Sequence, residues 1–365
     1  MFLILIALLV VIAALASFYL LKKLRKITIL DRLTPTWLAW GMAALVLLVG
    51  IAALGFVLSP LNIALCLLHW TVIWLLCDGI GWGLGKWTKL RWKPDHKAIA
   101  ALGLTVVYLG MGWVNAHRVV PTEYAFTSHK VSQGLRIVQF SDAHIGITFD
   151  GEGFGEELEK INAYAPDVVV ITGDFVDDST SREDLLAACK ALEKLNAPLG
   201  VYFVYGNHDK GYLSAEGRGW SAGELAAALE DSGVVILEDE AVSLPGGYTL
   251  IGRQDASVRN RASMDRLMAL ADPDSYTVIL DHQPGDYAAQ AEAKADLVLS
   301  GHTHGGQMLP VTYVGQWMGL NDRTYGHERR GSTDFLVSSG IASWELKFKT
   351  GCISEFVVID ISPAA

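Results

Sequence analysis

Five short clusters of Asp, Asn and His punctuate the last two-thirds of this chain, each following a run of apolar residues. In order they are Ser141-Asp142-Ala143-His144, Gly173-Asp174-Phe175-Val176-Asp177, Gly206-Asn207-His208-Asp209, Asp281-His282-Gln283-Pro284 and Gly301-His302-Thr303-His304-Gly305-Gly306-Gln307. Carboxylate, amide and imidazole together make a mixed oxygen–nitrogen ligand set, which suits Mn, Fe, Zn or Co rather than the all-oxygen cages of calcium or magnesium. Asp142 and His144 stand two residues apart, as do His302 and His304. In extended chain that period turns both side chains of a pair to one side, so each pair can aim two ligands into one crevice. Gly173, Gly206 and Gly301 open three of the clusters and let the backbone turn sharply and approach closely. One such cluster alone is what any surface turn contains. Five in consistent order, each after an apolar run, point to a single metal site.

The elements that must position these residues follow from the apolar runs. Leu135–Phe140, Val168–Ile171, Val201–Tyr205, Val234–Leu237, Thr249–Ile251, Thr277–Leu280, Leu297–Ser300, Phe335–Ser338 and Cys352–Ile361 are short and mostly rich in Val or Ile, as buried strands are. Between them, Glu156–Ala163, Arg182–Leu195, Glu224–Asp231, Ser263–Leu270 and Asp286–Glu292 carry the spacing of amphipathic helices. Strand–helix alternation predicts an α/β domain with helices over the sheet faces. The clusters then fall at strand carboxyl ends, where open α/β sheets gather their catalytic groups. No internal repeat or low-complexity tract interrupts the pattern.

The first third of the chain is different in kind. Apolar stretches at Phe2–Leu21, Trp37–Leu58, Leu61–Trp82 and Ala98–Val114 each reach or approach the length that crosses about 30 Å of hydrocarbon. A secretory signal carries its positive charge ahead of the apolar core. Here Lys22, Lys23, Arg25 and Lys26 follow it, so the first stretch reads as a retained helix. The basic loops 22–35 and 84–97 belong on the cytoplasmic side by the positive-inside rule, whereas the connection at Ser59-Pro60 is uncharged. Four spans then place the rest of the chain outside the cytoplasm. Only His69 and Asp78 are ionisable within the third span, which favours an anchor over a transport path. The expected division is therefore a membrane anchor at 1–114, a connector at 115–134 and a catalytic domain at 135–365.

Charge and cysteine content narrow the function further. Residues 1–114 hold ten basic and three acidic side chains of the chain's 29 and 39, which leaves 19 and 36 beyond them, a net of −17. An acidic domain repels polyphosphate backbones, so nucleic acid is not an expected partner. The four cysteines have neither metal-ligand spacing nor the pattern of a disulfide framework.

The succession D-x-H, G-D-x-x-D, G-N-H-D, H and G-H-x-H resembles the calcineurin-like metallophosphoesterase superfamily, from about Leu135 to the C-terminus. The Gly-Gly-Gln that follows the last His, together with Val337–Ile341 and Gly351-Cys352, is similar to its small bacterial membrane-associated branch. The resemblance implies a metallophosphoesterase-type β-sandwich flanked by helices, here preceded by four transmembrane helices. It implies two divalent metal ions, with Mn the first choice in assays. One would be held by Asp142, His144 and His304 and the other by Asn207, His282 and His302, while Asp174 bridges them. His208 would stand beside the substrate and protonate the leaving oxygen, with Asp177 orienting it. Asp178 stands where some members carry Arg, so a phosphate-gripping cation has to come from elsewhere, with Arg253, Arg259 and Lys210 as candidates.

The function so implied is hydrolysis of a phosphate ester by a metal-activated hydroxide, with no covalent enzyme intermediate. A membrane anchor makes a lipid-linked phosphate a candidate substrate beside phosphorylated small molecules, and monoester, diester and anhydride all stay open. Some relatives cleave the pyrophosphate of a lipid-linked sugar nucleotide, but on the cytoplasmic side, so that activity is the second reading. A third reading is a non-catalytic metal-binding sensor. It would show a missing ligand or a replaced His208, and the sequence has neither. The stretch Val311–Tyr325, with Trp317, Met318 and Leu320, is either an apolar lip meeting substrate or lipid, or a loop packed on the core.

Overall fold

A computed structural model describes residues 2–88 and 92–364, the side chains of 2–10 excepted. The chain divides into two compact units, Met1–Met111 and Gly112–Ala365.

The first unit is helical. Among the described residues, Thr36–Leu54, Pro60–Trp87 and Pro94–His117 are long and apolar enough to cross a membrane. The first expected span, Phe2–Leu21, lies in helix Phe2–Leu24, and Lys89 and Arg91 of the second basic loop lie outside the described residues. Pro60 starts its helix in the first turn, where a missing N–H breaks no helical hydrogen bond, and the Ser59 hydroxyl accepts from Asn62 N at 3.4 Å. Leu20, Ala43, Leu47, Trp74 and Ala101 pack inward, while Leu48, Val49, Leu76 and Val106 stay exposed, as side chains that face lipid do. Asp78 accepts from Tyr19 Oη and Lys97 Nζ, each at 3.0 Å, and is paired with Lys23. Its charge is thus matched among helices, as intramembrane carboxylates generally are.

The second unit is built on two six-stranded sheets. Its strands are β1 (Val120–Ser128), β2 (Leu135–Phe140), β3 (Val168–Thr172), β4 (Val201–Val204), β5 (Val234–Ile236), β6 (Glu240–Leu244), β7 (Tyr248–Gly252), β8 (Tyr276–Leu280), β9 (Leu297–Ser300), β10 (Gly326–Arg330), β11 (Thr333–Val337) and β12 (Glu355–Pro363). One sheet runs β1-β12-β2-β3-β4-β5 and the other β10-β11-β9-β8-β7-β6. Strands β2 to β5 are mutually parallel, as are β7, β8, β9 and β11, so the carboxyl ends within each group lie together.

Period-two alternation distributes the apolar residues. Ile137, Val168, Val170 and Ile359 of the first sheet meet Leu250, Val278, Leu297 and Leu299 of the second in the sandwich core. The alternate residues Val138, Val169, Ile171 and Phe203 face the helices Gly151–Asn162, Arg182–Leu192 and Ala222–Asp231. Ile279, Val298 and Phe335 do the same toward Met264–Met268 and Tyr287–Glu292. Burial on both faces is why these strands read as unbroken Val/Ile runs.

Three strands fall outside the expected set, and each is a sheet edge. β1 lies within the expected connector 115–134, which is therefore part of the sandwich. It alternates half-buried and exposed residues and includes Pro121, which edge positions tolerate. β6 begins at Glu240, and β10, Gly326-His327-Glu328-Arg329-Arg330, contains no apolar residue at all. The four cysteines are free.

Candidate metal centre

Backbone hydrogen bonds prolong the parallel ladders past the strand ends. Asp142 N donates to Gly173 O at 2.9 Å, His144 N to Asp174 O at 3.1 Å, and Gly301 N to His282 O at 3.0 Å. The two sheets are stitched together at the same place. Gln139 Nε2 donates to Thr172 Oγ1 and Ser300 O, and His302 N donates to Asp142 Oδ1 at 3.0 Å. The five clusters therefore converge on the seam between the carboxyl ends of β2, β3 and β4 and those of β8 and β9.

Two sets of ligand atoms form there. One nitrogen or oxygen from each of Asp142, His144 and His304 lies within 4.8 Å of the others, and the same holds for Asp174, His282 and His302. Asn207 joins the second set, its Oδ1 standing 3.2 Å from His282 Nε2. Asp174 Oδ2 lies 3.1 Å from His282 Nε2 and 3.8 Å from His144 Nε2, between the sets. All seven expected ligands are thus brought to one place.

The histidines are held from behind. His282 Nδ1 faces Thr172 O at 2.8 Å, His304 Nδ1 faces Ala342 O at 3.4 Å, and His144 Nδ1 faces Asp177 Oδ2 at 3.1 Å. A partner on Nδ1 fixes the tautomer and turns Nε2 into the site, the usual support of a metal-binding imidazole. His144 Nε2 is buried and has no hydrogen-bond partner. An orphaned ring nitrogen aimed at carboxylates is what a cation ligand leaves, since buried polar atoms are otherwise satisfied. The donor set therefore fits divalent cations.

Backbone strain collects at the same residues. Asp142, His144, Asp174, His302 and His304 all have left-handed backbone, with φ of 55°, 35°, 54°, 71° and 48°. Each such residue costs about 1–3 kcal/mol, and strain of this kind concentrates at functional sites. Two glycines make the close packing possible. A Cβ on Gly206 would collide with Asp174 Oδ1, and one on Gly173, at φ 82°, would sit 2.6 Å from Gly206 N.

Charges in the seam shift one another. Burial opposes ionisation of Asp174, but His282 and His144 beside it outweigh this and hold its carboxyl below the usual range. Burial likewise opposes protonation of His282, and Asp174 and Asp142 overcome it. His302 is pushed down to about 4, chiefly by burial and then by His282, which leaves a neutral imidazole.

Asp177 was expected to orient His208, but its carboxylate contacts His144 Nδ1, because the Asp177 turn packs under β2's loop. The His208 ring is flanked by His144, Trp344 and Tyr212, with ring centroids 5.2 Å away in each case. Neither Trp344 nor Tyr212 stood out in the sequence, since each sits in a loop with no spacing to mark it. Of the three candidates for gripping phosphate, Arg253 is committed to Asp281 at 3.1 Å and Asp286 at 2.8 Å, and Lys210 to Glu238 and the Tyr205 ring. Arg259 is exposed. Asp178 accepts from Tyr212 N and Leu213 N and so shapes the loop that holds Tyr212.

Asp209, the last residue of its motif, is fully buried and serves as a clamp. Its carboxylate accepts from the backbone N–H groups of Asp174 (2.8 Å), Phe175 (2.7 Å), Val176 (3.1 Å) and Gly206 (2.6 Å). Burial and then the Asp174 carboxylate push its pKa up to about 7, against which these donated hydrogen bonds favour the anion. Asp209→Ala leaves all those N–H groups without their acceptor. At about 1–3 kcal/mol for each unsatisfied buried donor, the variant is expected to lose at least about 4 kcal/mol of stability. Thermal unfolding in detergent checks this, and a shift no larger than that of a surface substitution would remove Asp209 from this role.

The model of the calcineurin-like phosphoesterase family matches residues 135–306. An uncharacterized metallophosphoesterase of Bacillus subtilis (strain 168), YkuE, is 30% identical over 275 residues, covering 70% of this chain and 91% of that one. A transmembrane protein with metallophosphoesterase domain from Bos taurus is 28% identical over 325 residues, covering 84% and 70%. Among solved structures, TT1561 of Thermus thermophilus matches with a TM-score of 0.38 and 14% identity over 56% of this chain and 88% of that one.

Proposed function

Because this chain belongs to the calcineurin-like metallophosphoesterases and is a phosphoesterase, we propose that it hydrolyses a phosphate ester at a centre for two divalent cations. Asp142, His144 and His304 would hold one cation and Asn207, His282 and His302 the other, with Asp174 contributing to both. The observation that carries this reading is the buried, unpartnered His144 Nε2 standing 3.8 Å from Asp174 Oδ2, between the two ligand sets. When bound, two such cations supply a water activated at neutral pH and positive charge opposite the phosphoryl oxygens.

The protein's own groups complete the reaction. His208 gives its ring proton to the departing oxygen, while its backbone N–H holds Asp174 Oδ1 at 2.8 Å. Trp344 and Tyr212 pack against the His208 ring beside His144. Asp177 acts through His144 as a positioning residue, fixing that ring by Nδ1.

The chain is membrane-associated, given three long apolar helices among the described residues and relatives described as transmembrane proteins. The uneven distribution of Lys and Arg supports a multi-pass arrangement with basic loops 22–35 and 84–97 in the cytoplasm and the phosphoesterase unit outside it. The test is hydrolysis of mono- and bis-(p-nitrophenyl) phosphate by the full-length chain in detergent, with Mn²⁺ added or chelated. Turnover that requires the metal is expected. Two metals bound per chain without turnover of either ester would overturn the hydrolytic assignment.

A further inference from the structure

An exposed apolar segment of the catalytic unit begins four residues after His304. Residues 308–320 contain no charged side chain. Trp317 is 75% exposed, Met318 and Leu320 are each 68% exposed, and Val311, Tyr313 and Val314 are exposed beside them. Single exposed apolar residues are ordinary, but a cluster of this kind marks a surface that something covers. The segment is also anchored to the rest of the unit. Gly306 N donates to Thr303 O at 2.7 Å, Thr312 Oγ1 donates to Met308 O at 3.1 Å, and a Cβ on Gly306 would collide with Thr312 O.

The segment is linked to the end of an apolar helix. The last turns of helix Pro94–His117, one of the three candidate spans, belong to this unit from Gly112 onward. Lys349 N donates to Gly112 O at 2.9 Å, and Asn115 Nδ2 to Lys349 O at 3.2 Å. The adjoining Thr350 N donates to Gln307 O at 2.8 Å. A short path of hydrogen bonds thus joins the end of a membrane helix to the start of the apolar segment. Gln307 Nε2 also donates to Leu346 O at 2.9 Å, in the same loop as Trp344, whose ring lies against His208. Membrane-helix end, apolar segment and metal centre are neighbours within one unit. Trp and Tyr with aliphatic residues and no charge is the composition that settles at the lipid–water interface.

We propose that residues 309–320 dock on the bilayer surface, and that the centre beside them takes a phosphate carried by a membrane amphiphile. The substrate half of this proposal rests on the hydrolase reading above. The full-length chain carrying M318C, labelled with an environment-sensitive fluorophore, is reconstituted into phosphatidylcholine vesicles. L270C, at an exposed position elsewhere, is the control, and the unsubstituted chain gives the background of its four native cysteines. Lipids brominated along the acyl chain are expected to quench the probe at 318 several-fold more than the probe at 270. Equal quenching, or a probe at 318 shielded from aqueous iodide yet untouched by brominated lipid, as a second copy of the chain would leave it, overturns the docking.

A second arm compares dioleoyl phosphatidate in vesicles with soluble p-nitrophenyl phosphate. Combining Trp317→Ser, Met318→Ser and Leu320→Ser is expected to lower turnover of the vesicle substrate about tenfold or more, while the soluble ester is cleaved at the unsubstituted rate. Equal losses on both substrates, or turnover confined to the soluble ester in the unsubstituted chain, overturns the substrate half. Failure on both esters with two metals bound defeats the hydrolase reading instead, and quenching then decides the docking alone.

Discussion

Asp174→Asn is expected to abolish metal-dependent turnover, by about 10³-fold or more, while leaving the fold intact. The substitution is isosteric, so packing at this buried position is unchanged. The electronic change is severe. One carboxylate oxygen accepts the His208 N–H at 2.8 Å, and the other faces His282 Nε2 at 3.1 Å and His144 Nε2 at 3.8 Å. An amide presents its NH₂ either to the His208 N–H, where two donors collide, or to the ligand sets, where no lone pair remains for a cation. The shared negative charge is lost in both orientations. Several kcal/mol of transition-state stabilisation depend on that charge, and each 1.36 kcal/mol is about tenfold in rate. Steady-state hydrolysis with Mn²⁺, alongside thermal unfolding, separates this outcome from a folding defect. Retention of a tenth or more of the activity would exclude Asp174 as the shared ligand.

His208→Ala is expected to cost about 10²–10⁴-fold on an alkyl phosphate, the range of general acid catalysis, with bound metal unchanged. On a p-nitrophenyl ester, whose leaving group departs without a proton, the loss should be much smaller. That contrast distinguishes a proton donor from a structural residue. Burial, opposed by Asp174, lowers the His208 pKa below the ordinary 6.5. Because the protonated ring is the competent form, its contribution falls as pH rises through that lowered pKa. The pH profile for the alkyl ester should therefore carry a descending alkaline limb that the variant lacks. Equal losses on both leaving groups, accompanied by loss of metal, would make His208 a support for Asp174 rather than an acid.

How much of this was legible in the sequence follows from burial and from range. β2, β3, β8 and β9 are covered on both faces, so selection for apolar residues leaves a run that is hard to misread. β1, β6 and β10 lie at sheet edges and serve one face at most, so their sequences resemble loops. The ligand pairs Asp142/His144 and His302/His304 were visible because their partners are adjacent in the chain. Asp177 illustrates the opposite case. Its motif spacing is equally compatible with contact to His144 or His208, and only the packing of the two loops decides. Asp209 reads as a turn residue, yet it binds N–H groups from two separate loops, a relation that no local pattern encodes. The apolar segment was visible as composition, but whether Trp317 faced the core or solvent depended on the fold, and it faces solvent.

The claim on which everything else depends is that the seam between the two sheets holds two cations. Equilibrium dialysis of the full-length chain in detergent against Mn²⁺, with bound metal counted per chain, tests it directly. Two Mn²⁺ per wild-type chain, and fewer in Asp174→Asn, are expected. A folded wild-type chain that binds none, or binds equally well without Asp174, would contradict it.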